Sequence, residues 1–110
     1  MKIVSTPTFL KEAKSLSKKY PSFRDDLVRF IASLTQNPNQ GVLLSHGYRK
    51  IRMSITSKGK GKSGGARIIT FNCIVNAQCD CIVLVMVYDK SERSSVSMEQ
   101  LRIIVAAFSK

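Results

Sequence analysis

Between Asp26 and Asp80 the chain has no acidic residue, yet Arg29, Arg49, Lys50, Arg52, Lys58, Lys60, Lys62 and Arg67 all fall there. A block of like charge repels itself, and its natural use is on a polyanion. Lys50 and Arg52 are two residues apart, the spacing that puts side chains on one face of a strand. Cleaving RNA requires a base at the 2′-hydroxyl, cations for charge building on the phosphoryl oxygens, and an acid for the leaving oxygen. Like-charged neighbours disfavour a protonated amine, so Lys50 beside Arg52 is a candidate base. Arg52 and Arg67 are candidate donors to the phosphoryl charge. His46, the sole histidine, reads as a loop-edge residue before a catalyst.

Arg67 ends the stretch SKGKGKSGGAR (57–67), four glycines and three lysines without an acid. A phosphate-binding P-loop needs G-x-x-x-x-G-K-[ST] between a strand and a helix, whose N-terminus supplies amides to the phosphates. Here the first glycine position holds Thr56, and GGARIITF continues into a β-branched strand instead of a helix. A nucleotide triphosphate site is therefore excluded. A glycine-rich connection between antiparallel strands fits, with Lys58, Lys60 and Lys62 as flexible cations on a nucleic-acid backbone, and a plain hairpin tip is the alternative.

Positioning these residues falls to a short list of elements. IVST (3–6) suits a strand and Pro7 the first turn of a helix, in which Phe9, Ala13, Leu16 and Tyr20 recur at helical spacing as far as Lys19. Ser22 with Asp25 resembles a capping box for a second helix carrying Phe23, Leu27, Phe30, Ile31 and Leu34, which NPNQG (37–41) ends. From Tyr48 the period becomes two: Ile51, Met53 and Ile55 on one face, Lys50, Arg52 and Ser54 on the other. Ala66 to Asn76 reads as the next strand, Asn76 to Asp80 as a turn, and CIVLVMVY (81–88) as a central strand covered on both faces. Ser97 with Gln100 caps a last helix bearing Leu101, Ile104, Val105 and Phe108. The order predicts one α+β domain over 1–110: a small antiparallel sheet of about four strands, two N-terminal helices and one C-terminal helix.

Composition agrees with one small globular domain. The 110 residues carry 18 Lys+Arg against 7 Asp+Glu, a formal charge of +11. No apolar run approaches the ~18 residues needed to span a bilayer, and no apolar stretch of signal-peptide length precedes Lys11 and Glu12, so a cytoplasmic location is expected. Cys73, Cys79 and Cys81 match no zinc spacing and read as small strand residues. The basic region offers no carboxylates to a hard cation, so no metal and no cofactor are expected.

GYRKIRM (47–53), SKGKGKSGGARIITF (57–71) and VYDKSERSS (87–95), with the element order, resemble the RelE/ParE superfamily of bacterial toxin–antitoxin modules, and within it the RelE/HigB-type toxins. The resemblance implies a RelE-like fold and a metal-independent endoribonuclease that cuts messenger RNA in the ribosomal A site, by attack of a ribose 2′-hydroxyl on the adjacent phosphate. It implies catalytic roles for Lys50, Arg52, Arg67, Lys90 and Arg93, and RNA contacts for Arg49, Lys58, Lys60 and Lys62. It departs from the family pattern at Ser91, where a second catalytic arginine is usual, and at Ser97, where a tyrosine is usual. That leaves Lys90, Arg93 or Tyr88 as the acid.

The implied partners are a cognate antitoxin, the ribosome with its RNA, and messenger RNA, with no membrane. An antitoxin is expected to cover part of the basic surface with an acidic or amphipathic segment. Two other readings stay open: a toxin of the same fold that poisons gyrase, and a non-enzymatic RNA-binding protein.

Overall fold

The structure, a computed structural model, describes residues 2–76 and 79–108, with only the backbone of 74–76 and 79 at the tip of one hairpin. Strand β1 (Lys2–Ser5) hands over at Thr6 to helix α1 (Pro7–Lys19). Thr6 is the N-cap: its side-chain oxygen accepts from the Phe9 amide at 3.0 Å, while Pro7 fills a first-turn position that needs no amide donor. Lys18 and Lys19 lie in the last turn, where cations complement the helix dipole. Helix α2 (Phe23–Gln36) follows, and both helices bury one stripe each: Phe9, Ala13 and Leu16 from α1, Phe23, Phe30 and Leu34 from α2.

The remaining elements are β2 (Val42–Ser45), β3 (Tyr48–Met53), a 3₁₀ turn (Thr56–Lys58), β4 (Ala66–Asn76), β5 (Cys79–Asp89) and α3 (Met98–Phe108). The fold is α+β, but the sheet has five strands in the order β1-β5-β4-β3-β2, and it is mixed. This corrects the expectation of about four antiparallel strands in two ways. The added strand, β2, pairs antiparallel with β3 through a turn at His46 and Gly47, where Gly47 takes φ +77°. The parallel pair is β1 with β5, because α1 and α2 return the chain across the sheet before its antiparallel meander begins. The Asn76–Asp80 turn is also shorter than expected, since the strands run to Asn76 and from Cys79, and residues 77 and 78 lie outside those described.

Two cores form, one on each side of the sheet. Ile51, Met53, Ile55, Ala66, Ile68, Ile82, Leu84 and Val87 meet α1 and α2, while Tyr48, Ile69, Val83, Val85, Met86 and Tyr88 meet Leu101 of α3. The alternation along β3 is as expected, with Ile51 and Met53 inward against the helices. Along β5 it is broken once. Ile69 is opposite Met86 and Thr70 opposite Leu84, so Val85 is an extra residue, a β-bulge that places Val85 and Met86 in the same core. Its carbonyl is satisfied by Thr6, whose hydroxyl donates to it at 2.7 Å.

Ser22 precedes α2 but does not cap it. Its backbone is helical and its hydroxyl donates to Asp26 and accepts from the Ser57 amide instead. Ser97 does cap α3, accepting from the Gln100 amide at 3.1 Å. Cys73 and Cys81 are half-buried strand residues placed opposite each other on β4 and β5, and the Cys79 side chain lies outside those described. No helix among the described residues is long and apolar enough to cross a membrane.

Candidate functional site

On the face of the sheet that carries α3, the half of the strands nearest the glycine-rich loop is open. Opposed residues of neighbouring strands share a face, and the register sets Arg52 opposite Arg67 and Arg67 opposite Tyr88. Lys50 lies on the same face two residues before Arg52. Lys50, Arg52 and Arg67 form the floor of a cleft of about 530 Å³, completed by Lys62 from the loop, Lys90 and Ser94 from the chain after β5, and Gln40, Gly41, Val42 and Leu44 along the β2 side. Among the described residues five cations, Lys50, Arg52, Lys62, Arg67 and Lys90, line it, and no carboxylate does.

Arg67 is the most buried of the five, 5% exposed. Its guanidinium donates to the carbonyls of Lys62 at 3.0 Å, Ser63 at 3.1 Å and Ala66 at 3.2 Å. Those bonds fold the end of the glycine loop over the start of β4, so the residue both shapes the loop and contributes charge to the cleft. Burial, and then the neighbouring Arg52, lower its pKa from the ordinary arginine value. Opposed side chains on adjacent strands are close neighbours, so the two guanidinium charges repel each other. An anion entering between Arg52 and Arg67 relieves that repulsion.

Tyr88 stands beside Arg67, 6% exposed, with the Arg93 guanidinium 5.9 Å from its ring centre. Its hydroxyl has no hydrogen-bond partner among the described residues. Burial raises its pKa against the opposing pull of Arg67 and Arg93, so the phenol is protonated at neutral pH.

The loop that supplies Lys62 is pinned by two buried acids. Asp26, in the first turn of α2, accepts from the Thr56 amide at 2.8 Å, the Thr56 hydroxyl at 2.6 Å and Arg29 at 2.6 Å. Burial alone would raise its pKa; the Thr56 and Ser22 hydrogen bonds and the Arg29 charge outweigh that and lower it. Asp89, at the end of β5 and 1% exposed, accepts from the Lys58 ammonium at 2.6 Å, from Tyr20, and from both the amide and hydroxyl of Ser91. There too burial opposes ionisation, and Lys58, Tyr20 and Ser91 overcome it, holding the carboxyl far below its usual range. Gly65 closes the base of the loop: a Cβ there would lie 2.2 Å from the Met53 carbonyl oxygen.

The nine residues expected at the site therefore divide. Lys50, Arg52, Arg67, Lys90 and Lys62 meet in the cleft. Lys58 does not join them, because its ammonium is committed to Asp89 beneath the loop and its side chain is only 10% exposed. Lys60 is exposed at the loop tip, outside the cleft lining. Arg49 is on the opposite face of β3 from Lys50 and donates to the Asn39 carbonyl. Arg93 stacks on Tyr88 and lines a separate recess with Glu12, Asp89 and Glu92. His46 is an exposed turn residue. Ser91 and Ser97, where the resemblance led one to look for an arginine and a tyrosine, serve Asp89 and the α3 cap.

Sequence reasoning missed Gln40 and Ser94 on the rim and the two anchoring acids. The signal for the acids was available: Asp26 opens the acid-free stretch, and Asp89 is the only charge adjoining the apolar run 81–88 on its C-terminal side before Lys90. No protein-family model matches this chain.

Proposed function

We propose that the protein is a ribosome-dependent messenger-RNA endoribonuclease, the toxin of a toxin–antitoxin module with a RelE-like fold. The observation that carries the reading is the cleft itself: five converging cations with no carboxylate among them, a surface suited to a phosphodiester with charge still to accumulate. In this reading Lys50 takes the proton of a ribose 2′-hydroxyl as that oxygen attacks the adjacent phosphorus. Arg52 and Arg67 hold the non-bridging oxygens, and Lys90, on the β5 side, protonates the departing 5′-oxygen. The products are a cyclic phosphate and a 5′-hydroxyl, and no metal is required. A cognate antitoxin silences the protein by covering this basic face.

Induced expression is expected to arrest growth, with new 5′ ends appearing in translated messages. Lys50→Ala is expected to slow cleavage of ribosome-bound message by about 10²-fold or more, with thermal stability unchanged. Arrest with an intact transcript pool would overturn the nuclease reading. The absence of any imidazole or carboxylate from the lining favours one second reading, an RNA-binding protein without turnover. Under it Lys50→Ala would weaken binding modestly and no cut ends would appear.

A further inference from the structure

A second recess of about 230 Å³ lies on the α2 side of the sheet, and it shares Gln40, Arg52 and Lys62 with the cleft. The reason the two communicate is the brevity of β2. Its pairing with β3 runs only from Ser45 opposite Tyr48 to Val42 opposite Lys50, so Arg52 and Met53 lie beyond the last pair. The sheet is notched there, with Arg52 at the notch and Lys62 reaching across from the loop.

Arg29 of α2 forms the far wall of the recess, its side chain 66% exposed. Asp26 is also on that wall, but its oxygens already accept from Thr56, Ser22 and Arg29. Three cations, Arg29, Arg52 and Lys62, against one such carboxylate leave the recess with a net charge of +2. The Ser54 and Thr56 positions line it as well.

We propose that the recess is a second phosphate subsite, and that a single RNA strand runs from the Lys50–Lys90 cleft through the notch at Arg52 to Arg29. This rests on the RNA reading of the cleft and specifies the substrate: a single strand more than one linkage long. A concave track with cations at successive steps grips one strand through its backbone, and it is independent of base identity. Each phosphate neutralised in a single strand contributes about 0.7 to the slope of log affinity against log salt.

The test titrates the intact chain with 2′-O-methyl RNA, which cannot be cut, as a dinucleotide and as a hexanucleotide across a salt series. The hexanucleotide is expected to give the steeper slope. Arg29→Gln is expected to lower that slope by about 0.7 and to leave the dinucleotide unchanged. The hexanucleotide alone is expected to shift the Ser54 and Thr56 amide resonances of the wild-type chain, a measurement that needs no variant. Hexanucleotide binding that leaves those amides unmoved, or that has the same slope in Arg29→Gln, would overturn the subsite while leaving the cleft intact. Failure of the wild-type chain to bind either oligonucleotide at low salt would overturn the subsite, while the nuclease reading stands or falls separately on cut ends in translated messages.

Discussion

Lys58→Met separates two roles for a residue that looks, by type and position, like its neighbours Lys60 and Lys62. The substitution keeps the length of the side chain and removes the ammonium that sits 2.6 Å from Asp89. Breaking a buried pair by deleting one partner costs about 3–5 kcal/mol, because the other charge is left in a medium that solvates it poorly. Asp89 retains Tyr20 and two donors from Ser91, which puts the expected loss at the lower end, about 3 kcal/mol. For a domain of this size that is a fall in melting temperature of about 12 °C. The pH dependence has a definite sign. Asp89 has a depressed pKa in the fold, so its contribution is fully present above the unfolded value of about 3.9 and is lost as pH falls below it. The gap between wild type and variant in thermal melts is therefore widest at pH 7 and narrows as the pH is taken below about 4. Equal melting temperatures at pH 7, with a shallower salt dependence of RNA binding, would refute the anchoring role and return Lys58 to the RNA-contacting set.

Two further substitutions test how the cleft is held. Thr6→Val removes the N-cap of α1 and strands the Val85 carbonyl of the bulge, with an expected loss of about 2 kcal/mol in urea unfolding, most of it restored by Thr6→Ser. Gly65→Ala drives a Cβ against the Met53 carbonyl, so a loss of about 1–3 kcal/mol is expected. Limited trypsin digestion should then cut faster after Lys60 and Lys62, as Gly65 ties the loop to Lys90 through its carbonyl.

What was legible in the sequence was whatever depended on local period. The alternation of Ile51, Met53 and Ile55 with Lys50 and Arg52 gave both the strand and its cationic face, and Ser97 with Gln100 gave the start of α3. β2 was not legible because VLLS is too short to alternate and lies at an edge, where Val42 and Leu43 remain exposed. The pairing of β1 with β5 was not legible because parallel partners are chosen by the path of the intervening helices. The Val85 bulge hides in an unbroken apolar run, where a change of phase leaves no trace in hydropathy. The pairing of Lys58 was not legible for a related reason: three lysines in one glycine-rich stretch are equivalent on paper, and a tertiary partner 31 positions away ties one of them to Asp89. Ser22 likewise had a capping pattern but found stronger partners in Asp26 and Ser57.

The extra residue at Val85 also decides which length changes the chain tolerates. Because the two faces of a strand differ by one step, deleting Val85 itself would restore plain alternation and keep every later pair, whereas deleting a residue from the regular stretch beyond it, such as Val87, would reverse the facing of everything after it in β5. Asp89 would leave its place among Tyr20 and Lys58, and Lys90 would turn away from the cleft. The glycine loop has no such parity. A Cβ at Gly59 or Gly61 meets nothing within 4 Å, and the pinned residues lie on either side of that pair. Variation in length among chains built on this plan should therefore gather at Gly59–Gly61 and, within β5, be confined to the bulge at Val85.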